Sequence, residues 1–239
     1  MFAPAPNPMQ KIARTLLLIW LTTVSASLAA APSGYSINSD SPTGNADSLY
    51  RIDLATGAET RIATVKSLGQ TRLDTEGLAY APDGTLYGLD DDSLTLFALN
   101  PDNATVQAGS EFLIQGLPLG GGNDFGMTFA CDGNLYLTSS ATGSLYRMDL
   151  TGKATRIGAQ GSLNPVKISG LAAWGNPVQL YGLGNGADAE GNPETRNLYL
   201  IDPADGTAEL VGPLGGAAGP YLQGGLDFDD AGQLWAVTE

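Results

Sequence analysis

A pattern that recurs four times along the chain constrains the fold more than any other feature. Its first copy, EGLAYAPDGTLYGLDDD from Glu76 to Asp92, reads as a strand, a tight turn and a second strand. Each copy has a Gly, an apolar residue, an aromatic residue soon after it, a turn and a Leu-aromatic pair. The apolar anchors, which lie 49, 44 and 55 residues apart, are Leu78, Met127, Leu171 and Leu226. Periods of this length are typical of β-propeller blades.

A second motif alternates with the first and supplies two more strands to each repeat. It is an alternating strand of the Leu-Tyr-Arg-Ile-Asp kind, followed by a turn and another short strand. The copies are Leu49–Asp53, Leu96–Asn100, Leu145–Asp149 and Leu198–Asp202. Turn pairs such as Thr-Gly and Asp-Gly supply the positive φ that tight hairpins need. We therefore predict an all-β fold, a β-propeller of four-stranded blades, with strands a to d forming two linked hairpins.

The two ends of the repeat array leave the number of blades at four or five. Gly34–Asn38 resembles a strand b, and the chain also finishes on a strand b, Leu234–Val237. Pairing of the N- and C-terminal strands in one shared blade would close the ring and remove exposed sheet edges. We predict this closure, with the extra strand b at Gly34–Asn38 as its one inconsistency.

The N-terminal segment predicts a secretory signal peptide over residues 1–29. Lys11 and Arg14 precede the apolar run Leu16–Leu21, and small residues follow. The run is shorter than the ~20 residues that a membrane-spanning helix needs. The predicted mature protein, residues 30–239, is then a single propeller domain, secreted or periplasmic, with no membrane span after cleavage.

Charge and residue content exclude several classes of function. The chain has 25 Asp and Glu against 11 Lys and Arg, a net charge of −14. Such acidity argues against nucleic acid as a partner, since phosphate binding needs a basic surface. The absence of His removes Ser-His-Asp and Cys-His catalysis and His-ligated zinc. The single cysteine, Cys131, forms no internal disulfide. We expect a monomer.

Hard oxygen ligands precede the repeat Gly in several copies, where strand a of a propeller faces the central channel. Glu76, Asn123 and Asp124 are the candidate metal ligands, with Ca²⁺ as the ion that such oxygens suit. Further oxygens come from Asp74, Ser169 and Gln223. The alternative is that these residues cap strands and bond to turn amides. The runs Asp90–Asp92 and Asp229–Asp230 have the same two interpretations, a surface ion or turn capping.

Each repeat also carries aromatic residues at the ends of strands a and b. They are Tyr80, Phe129, Trp174 and Phe228 on strand a, and Tyr87, Tyr136, Tyr181 and Trp235 on strand b. We predict that they pack between neighbouring blades, because periodic aromatics are buried between the sheets of propellers.

Repeats such as GLAYAPDGTLYGLDDDS and SLYRIDLATGAETRI resemble secreted bacterial propeller repeats of the NHL and YVTN kind. Thr75-Glu76-Gly77 before an Asp-Gly turn also resembles the first blade of SMP-30/gluconolactonase propellers. That resemblance implies a divalent-metal ligand at Glu76, with Asn123 and Asp124 as the nearest candidates for its Asn and Asp partners.

Two functions from different classes follow. The first is a non-enzymatic binding or scaffold module for a protein, glycan or small-molecule ligand. The second is a Ca²⁺-dependent lactonase or esterase, in which a metal-bound water is the nucleophile. The first needs no catalytic set, and the same fold hosts both kinds of protein.

Overall fold

Antiparallel sheets of the predicted a-to-d order form the molecule. The computed structural model describes residues 32–38, 47–71, 74–117, 123–184, 196–219, 221 and 223–238. All of them lie in one compact unit, Ala31–Glu239. The predicted signal peptide lies outside the described residues.

Four blades and one further hairpin follow one another along the chain. The first blade is β1 (Ser33–Asn38), β2 (Ser48–Asp53) and β3 (Ala58–Thr64), followed by the small hairpin β4 (Lys66–Ser67) and β5 (Gln70–Thr71). The second is β6 (Thr75–Tyr80), β7 (Leu86–Asp90), β8 (Thr95–Leu99) and β9 (Phe112–Leu113). The third is β10 (Phe125–Phe129), β11 (Leu135–Ser139), β12 (Ser144–Met148) and β13 (Ala154–Ile157). The fourth is β14 (Ile168–Trp174), β15 (Gln179–Gly184), β16 (Asn197–Ile201) and β17 (Ala208–Pro213). A 3-10 turn at Gly216–Ala218 leads to the hairpin of β18 (Gly224–Phe228) and β19 (Leu234–Thr238).

The a–b turns form as their Asp and Gly residues predict. In the first of them, the Thr85 amide donates to Asp83 Oδ1 at 2.9 Å, and Gly84 has a φ of 84°. Asp132 and Asp229 accept the amide two residues ahead in the same way, each at 2.9 Å. The carboxylate therefore holds the turn, and the Gly adopts the left-handed conformation that side chains disfavour.

The repeat Gly of strand a lies where the next blade approaches most closely. A Cβ on Gly126 would lie 3.1 Å from the carbonyl carbon of Gly170 and 2.5 Å from Thr138 Oγ1. One on Gly170 would lie 2.8 Å from the Gly224 carbonyl oxygen. β6, β10, β14 and β18 accordingly pack side by side. The hydrophobic core lies between successive blades, with one apolar cluster at each junction.

Aromatic pairs join neighbouring blades, as predicted. Tyr87 of β7 packs on Phe129 of β10 with ring centroids 5.4 Å apart. The same b-to-a contact recurs between Tyr35 and Tyr80 at 6.0 Å and between Tyr181 and Phe228 at 5.4 Å. Offset and edge arrangements at these distances are favourable for aromatic rings.

The predicted closing pair is wrong for the described strands. β1 pairs with β2 over six residues, from Ser33 with Asp53 to Asn38 with Ser48. It therefore occupies the edge that a C-terminal strand would need. β18 and β19 pair with each other as a separate two-stranded sheet. The array thus has four blades, the first three-stranded, and the β18–β19 hairpin follows as a fifth, two-stranded unit.

Candidate functional site

Two consecutive strands bring three aspartates to one end of the second blade. β6 and β7 pair with Thr75 opposite Asp90, so Asp74 and Asp91 lie side by side just beyond the last pair. The Asp91 amide donates to the Asp74 carbonyl oxygen at 3.1 Å. Asp74 has a φ of 69°, which turns the backbone at the start of β6. The antiparallel register therefore joins two residues that are far apart in the sequence.

Asp74, Asp91 and Asp92 form what we call the carboxylate cluster. One oxygen from each lies within 4.8 Å of those of the other two. Asp91 is only 4% exposed, whereas Asp74 is half-buried and Asp92 is exposed. Burial is the main reason that the pKa of Asp91 is raised, to about 7, and the neighbouring Asp74 carboxyl adds to the rise.

Carboxylates at this end also connect successive blades. Asp91 Oδ2 accepts a hydrogen bond of 3.4 Å from the amide of Asn123, at the start of the third blade. Asp47, in the b–c turn of the first blade, accepts one of 3.0 Å from the Thr75 amide. Burial raises the pKa of Asp47, and the amides of Thr75 and Asp74 oppose that rise. At two junctions between blades, therefore, a carboxylate from the b–c turn of one blade accepts a hydrogen bond from a backbone amide at the start of the next blade.

The predicted metal ligands lie on a strand a or just before one. Asn123 is buried, and its Oδ1 accepts hydrogen bonds from Ser139 Oγ at 2.7 Å and the Ala141 amide at 3.1 Å. Asp124 Oδ1 accepts one from Gln223 Nε2 at 3.1 Å. Glu76 is half-buried on β6 and is not a member of the carboxylate cluster. Asn123 contacts the cluster through its backbone amide, which donates to Asp91 Oδ2.

Asp124 and Gln223 show that the loops before strands a do converge. Asp124 precedes β10 and Gln223 precedes β18, so the hydrogen bond passes the whole fourth blade. The sequence pattern predicted this convergence. It did not predict the carboxylate cluster as a unit, because Asp74 and Asp91 belong to different motifs and only the β6–β7 register joins them.

A groove at the outer side of the third and fourth blades is a second candidate, which we call the arginine groove. It has a volume of about 300 Å³ and is lined by Tyr136, Arg147, Thr155, Arg156, Ile157, Gly158, Pro203 and Ala204. Arg147 lies opposite Tyr136 on β11 and opposite Thr155 on β13. Within the described part of the chain, the side chain of neither arginine forms a hydrogen bond or an ion pair.

Charged groups beside the groove shift the pKa of the Tyr136 phenol. Burial raises the pKa of Tyr136, nearby Asp132 raises it further, and Arg147 lowers it. Neither sequence motif indicated this groove, because it forms only where the third blade meets the c–d turn of the fourth.

The fold and the repeats together define a β-propeller repeat protein. The chain belongs to the family described as a repeat of unknown function, DUF6923, whose model matches residues 23–163. A comparison with curated protein sequences found no match.

Solved structures share the fold at low sequence identity. A Bacteroides thetaiotaomicron protein of unknown function is similar with a TM-score of 0.51 and 17% identity, over 85% of this chain and 53% of that one. A luciferin-regenerating enzyme is similar with a TM-score of 0.50 and 14% identity, over 87% of this chain and 66% of that one. The chain therefore spans about half the length of the first structure and two thirds of the second.

Among the described residues, no helix has the length and apolar character that a membrane crossing requires.

Proposed function

We propose that the protein is an exported, non-enzymatic β-propeller that binds a protein, glycan or other surface ligand. The arginine groove is its ligand site, and the ligand carries an anionic group. The observation that carries the proposal is a groove that holds Arg147 and Arg156 in a protein with a net charge of −14. Among the described residues, neither guanidinium forms a hydrogen bond or an ion pair. The residues of the predicted signal peptide support export.

Arginine suits the recognition of an anionic group. Its planar guanidinium offers several N–H donors, which bind a carboxylate, sulfate or phosphate through paired hydrogen bonds. Tyr136 adds an aromatic surface beside Arg147, and the Pro203–Ala204 turn forms the opposite wall. Because most of the chain's charge is negative, an anionic ligand is repelled elsewhere and attracted here.

The hydrolase alternative has less support from the geometry. It requires Asn123 to offer a carbonyl oxygen to the metal. That oxygen already accepts two hydrogen bonds, from Ser139 Oγ and the Ala141 amide. A carbonyl oxygen has two lone pairs, so a metal would have to displace one of these donors.

Binding of immobilised uronate and sulfated oligosaccharides by the mature protein tests the proposal. Arg147→Ala and Arg156→Ala should each weaken binding at least about tenfold, because a charge-assisted hydrogen bond contributes about 1.5–3 kcal/mol. Arg51→Ala is the matched control, since Arg51 has the same repeat position in the first blade and does not line the groove.

Binding that is unchanged in Arg147→Ala would place the ligand elsewhere. Hydrolysis of a lactone or ester panel by the mature protein, lost in Glu76→Gln, would replace the binding function with the hydrolase.

A further inference from the structure

We propose that Asp74, Asp91 and Asp92 bind a divalent cation, with Ca²⁺ preferred, at the junction of the second and third blades. The three residues differ from the set that the SMP-30 resemblance implies, since neither Glu76 nor Asp124 is among them. The proposal does not depend on the arginine groove, whose residues are all different.

The spacing of the oxygens fits a single ion of this size. Ca²⁺ binds oxygen at about 2.3–2.6 Å, so two ligands on opposite sides of it lie up to about 5 Å apart. One oxygen from each of the three aspartates lies within 4.8 Å of the other two. Mg²⁺ holds its oxygens at about 2.0–2.1 Å, so two of its ligands lie at most about 4.2 Å apart. The spacing is compatible with Ca²⁺. Mg²⁺ demands a near-ideal octahedron and usually keeps several waters, so a set of three protein carboxylates suits Ca²⁺ better.

Asp91 supplies the independent observation that points to a ligand. Its side chain is 4% exposed, and within the described residues no N–H or O–H group donates to its Oδ1. Oδ2 of the same carboxylate accepts the hydrogen bond from the Asn123 amide. Oδ1 is therefore the oxygen left for the cluster. A buried carboxylate oxygen without a partner is costly, and a bound cation removes that cost.

Within the described residues, no basic side chain pairs with the cluster. Among the described residues, Asp74, Asp91 and Asp92 have no ion pair with a Lys or Arg. Asp47 is a further carboxylate in this region, since the negative charges of Asp74 and Asp90 both raise its pKa. Such a concentration of negative charge attracts a cation.

The position of the site gives the ion a structural role. Asp74 and Asp91 belong to the second blade, and Oδ2 of Asp91 is bonded to the first described residue of the third. An ion that binds Asp91 Oδ1 therefore fixes the carboxylate that joins the two blades. We expect it to stabilise this junction without taking part in catalysis.

Calorimetric titration of the mature, metal-free protein with Ca²⁺ alone tests the proposal. We expect binding of one ion per chain, weakened at least tenfold by Asp74→Asn and by Asp92→Asn, and weaker binding of Mg²⁺. Asp92 is exposed, so its variant should fold. Glu209→Gln is the matched control, because it removes the same charge from an exposed position on β17. Glu76→Gln and Asp124→Asn should also retain binding.

Thermal melts provide a second readout. At a hundred times its Kd, Ca²⁺ should raise the Tm by roughly 5–10 °C in the original protein and in Glu209→Gln, and not in Asp74→Asn. If Ca²⁺ does not bind, or binds equally well to Asp74→Asn and Asp92→Asn, the proposal is overturned. Loss of binding in Glu76→Gln and Asp124→Asn alone would overturn it as well, in favour of the channel-mouth set.

Discussion

Asp124 and Gln223 meet across an intervening blade, with Gln223 Nε2 donating to Asp124 Oδ1 at 3.1 Å. Asp124 lies at the start of the third blade, and Gln223 lies at the start of the β18–β19 hairpin. In the described strands, this hairpin has no sheet partner beyond itself. The hydrogen bond therefore fastens the last unit of the array to a blade that is not its immediate neighbour.

Removal of this hydrogen bond should loosen the β18–β19 hairpin. Gln223→Ala leaves the Asp124 carboxylate with one donor fewer, and a hydrogen bond to a charged group contributes about 1.5–3 kcal/mol. We expect faster hydrogen exchange of the β18 and β19 amides, with the amides of β10 to β13 unchanged. Gln233→Ala is the control on the same hairpin, since its side chain is exposed. Equal exchange in the two variants would contradict the assigned role.

The close approach of strands a makes Gly126 sensitive to a single methyl group. A Cβ there would lie 3.1 Å from the carbonyl carbon of Gly170 on β14 and 2.5 Å from Thr138 Oγ1, which accepts a hydrogen bond from the Gly126 amide at 3.0 Å. Gly126→Ala should lower the free energy of unfolding by about 1–3 kcal/mol through overpacking. Gly225→Ala is the control, because a Cβ on Gly225 meets nothing within 4 Å. Urea denaturation measures both, and a similar loss in the two variants would mean that blade packing is not the cause.

Aromatic packing between the second and third blades should appear as a coupling energy. Tyr87 and Phe129 lie 5.4 Å apart and belong to different blades. A double-mutant cycle of Tyr87→Ala and Phe129→Ala should give a coupling of about 0.5–1.5 kcal/mol, the range for aromatic pairs. The cycle between Tyr87 and Phe228 is the control, because Phe228 packs instead on Trp174 and Tyr181. Additive losses for Tyr87 and Phe129 would show that their contact contributes nothing.

Much of the fold could be predicted from the sequence because each blade is built from local signals. The Asp-Gly pairs at Asp83 and Asp132 fix two of the a–b turns, and the periodic aromatics identify the faces that neighbouring blades cover. The repeat Gly marks each strand a in the sequence, and the structure shows that it allows these strands to pack closely. These features repeat because every pair of neighbouring blades packs through the same faces and strands.

Closure of the ring and the positions of the candidate sites depend on strand pairing and on contacts between blades, which the sequence pattern does not specify. Gly34–Asn38 and Leu234–Val237 have equivalent strand-b patterns, and only the pairing of β1 with β2 decides which one borders the first blade. Asp74 and Asp91 are 17 residues apart and become neighbours through the β6–β7 register. Arg147 and Pro203 line the same groove only because the third and fourth blades meet there. Convergence of this kind is a tertiary property.

Alkaline pH should weaken the junction between the fourth blade and the β18–β19 hairpin through Tyr221. Its ring is buried in the apolar cluster of that junction, and its hydroxyl donates to the Gly184 carbonyl oxygen at 2.7 Å. Burial raises its pKa to about 12, although Arg196 opposes the rise. A raised folded-state pKa means that the stabilisation is complete below the unfolded-state pKa of 10 and is lost as the pH rises through 12.

Tyr221→Phe should therefore lower the free energy of unfolding at pH 8 by about 1 kcal/mol, because the hydrogen bond is lost. The difference between Tyr221→Phe and the original protein should shrink, and then reverse in sign, as the pH rises from about 10 to 12. Urea denaturation at a series of pH values measures this difference. Tyr181→Phe is the control, since the Tyr181 hydroxyl donates to the exposed Gln179. A difference that stays constant over this pH range would mean that the Tyr221 phenol does not stay neutral in the folded protein.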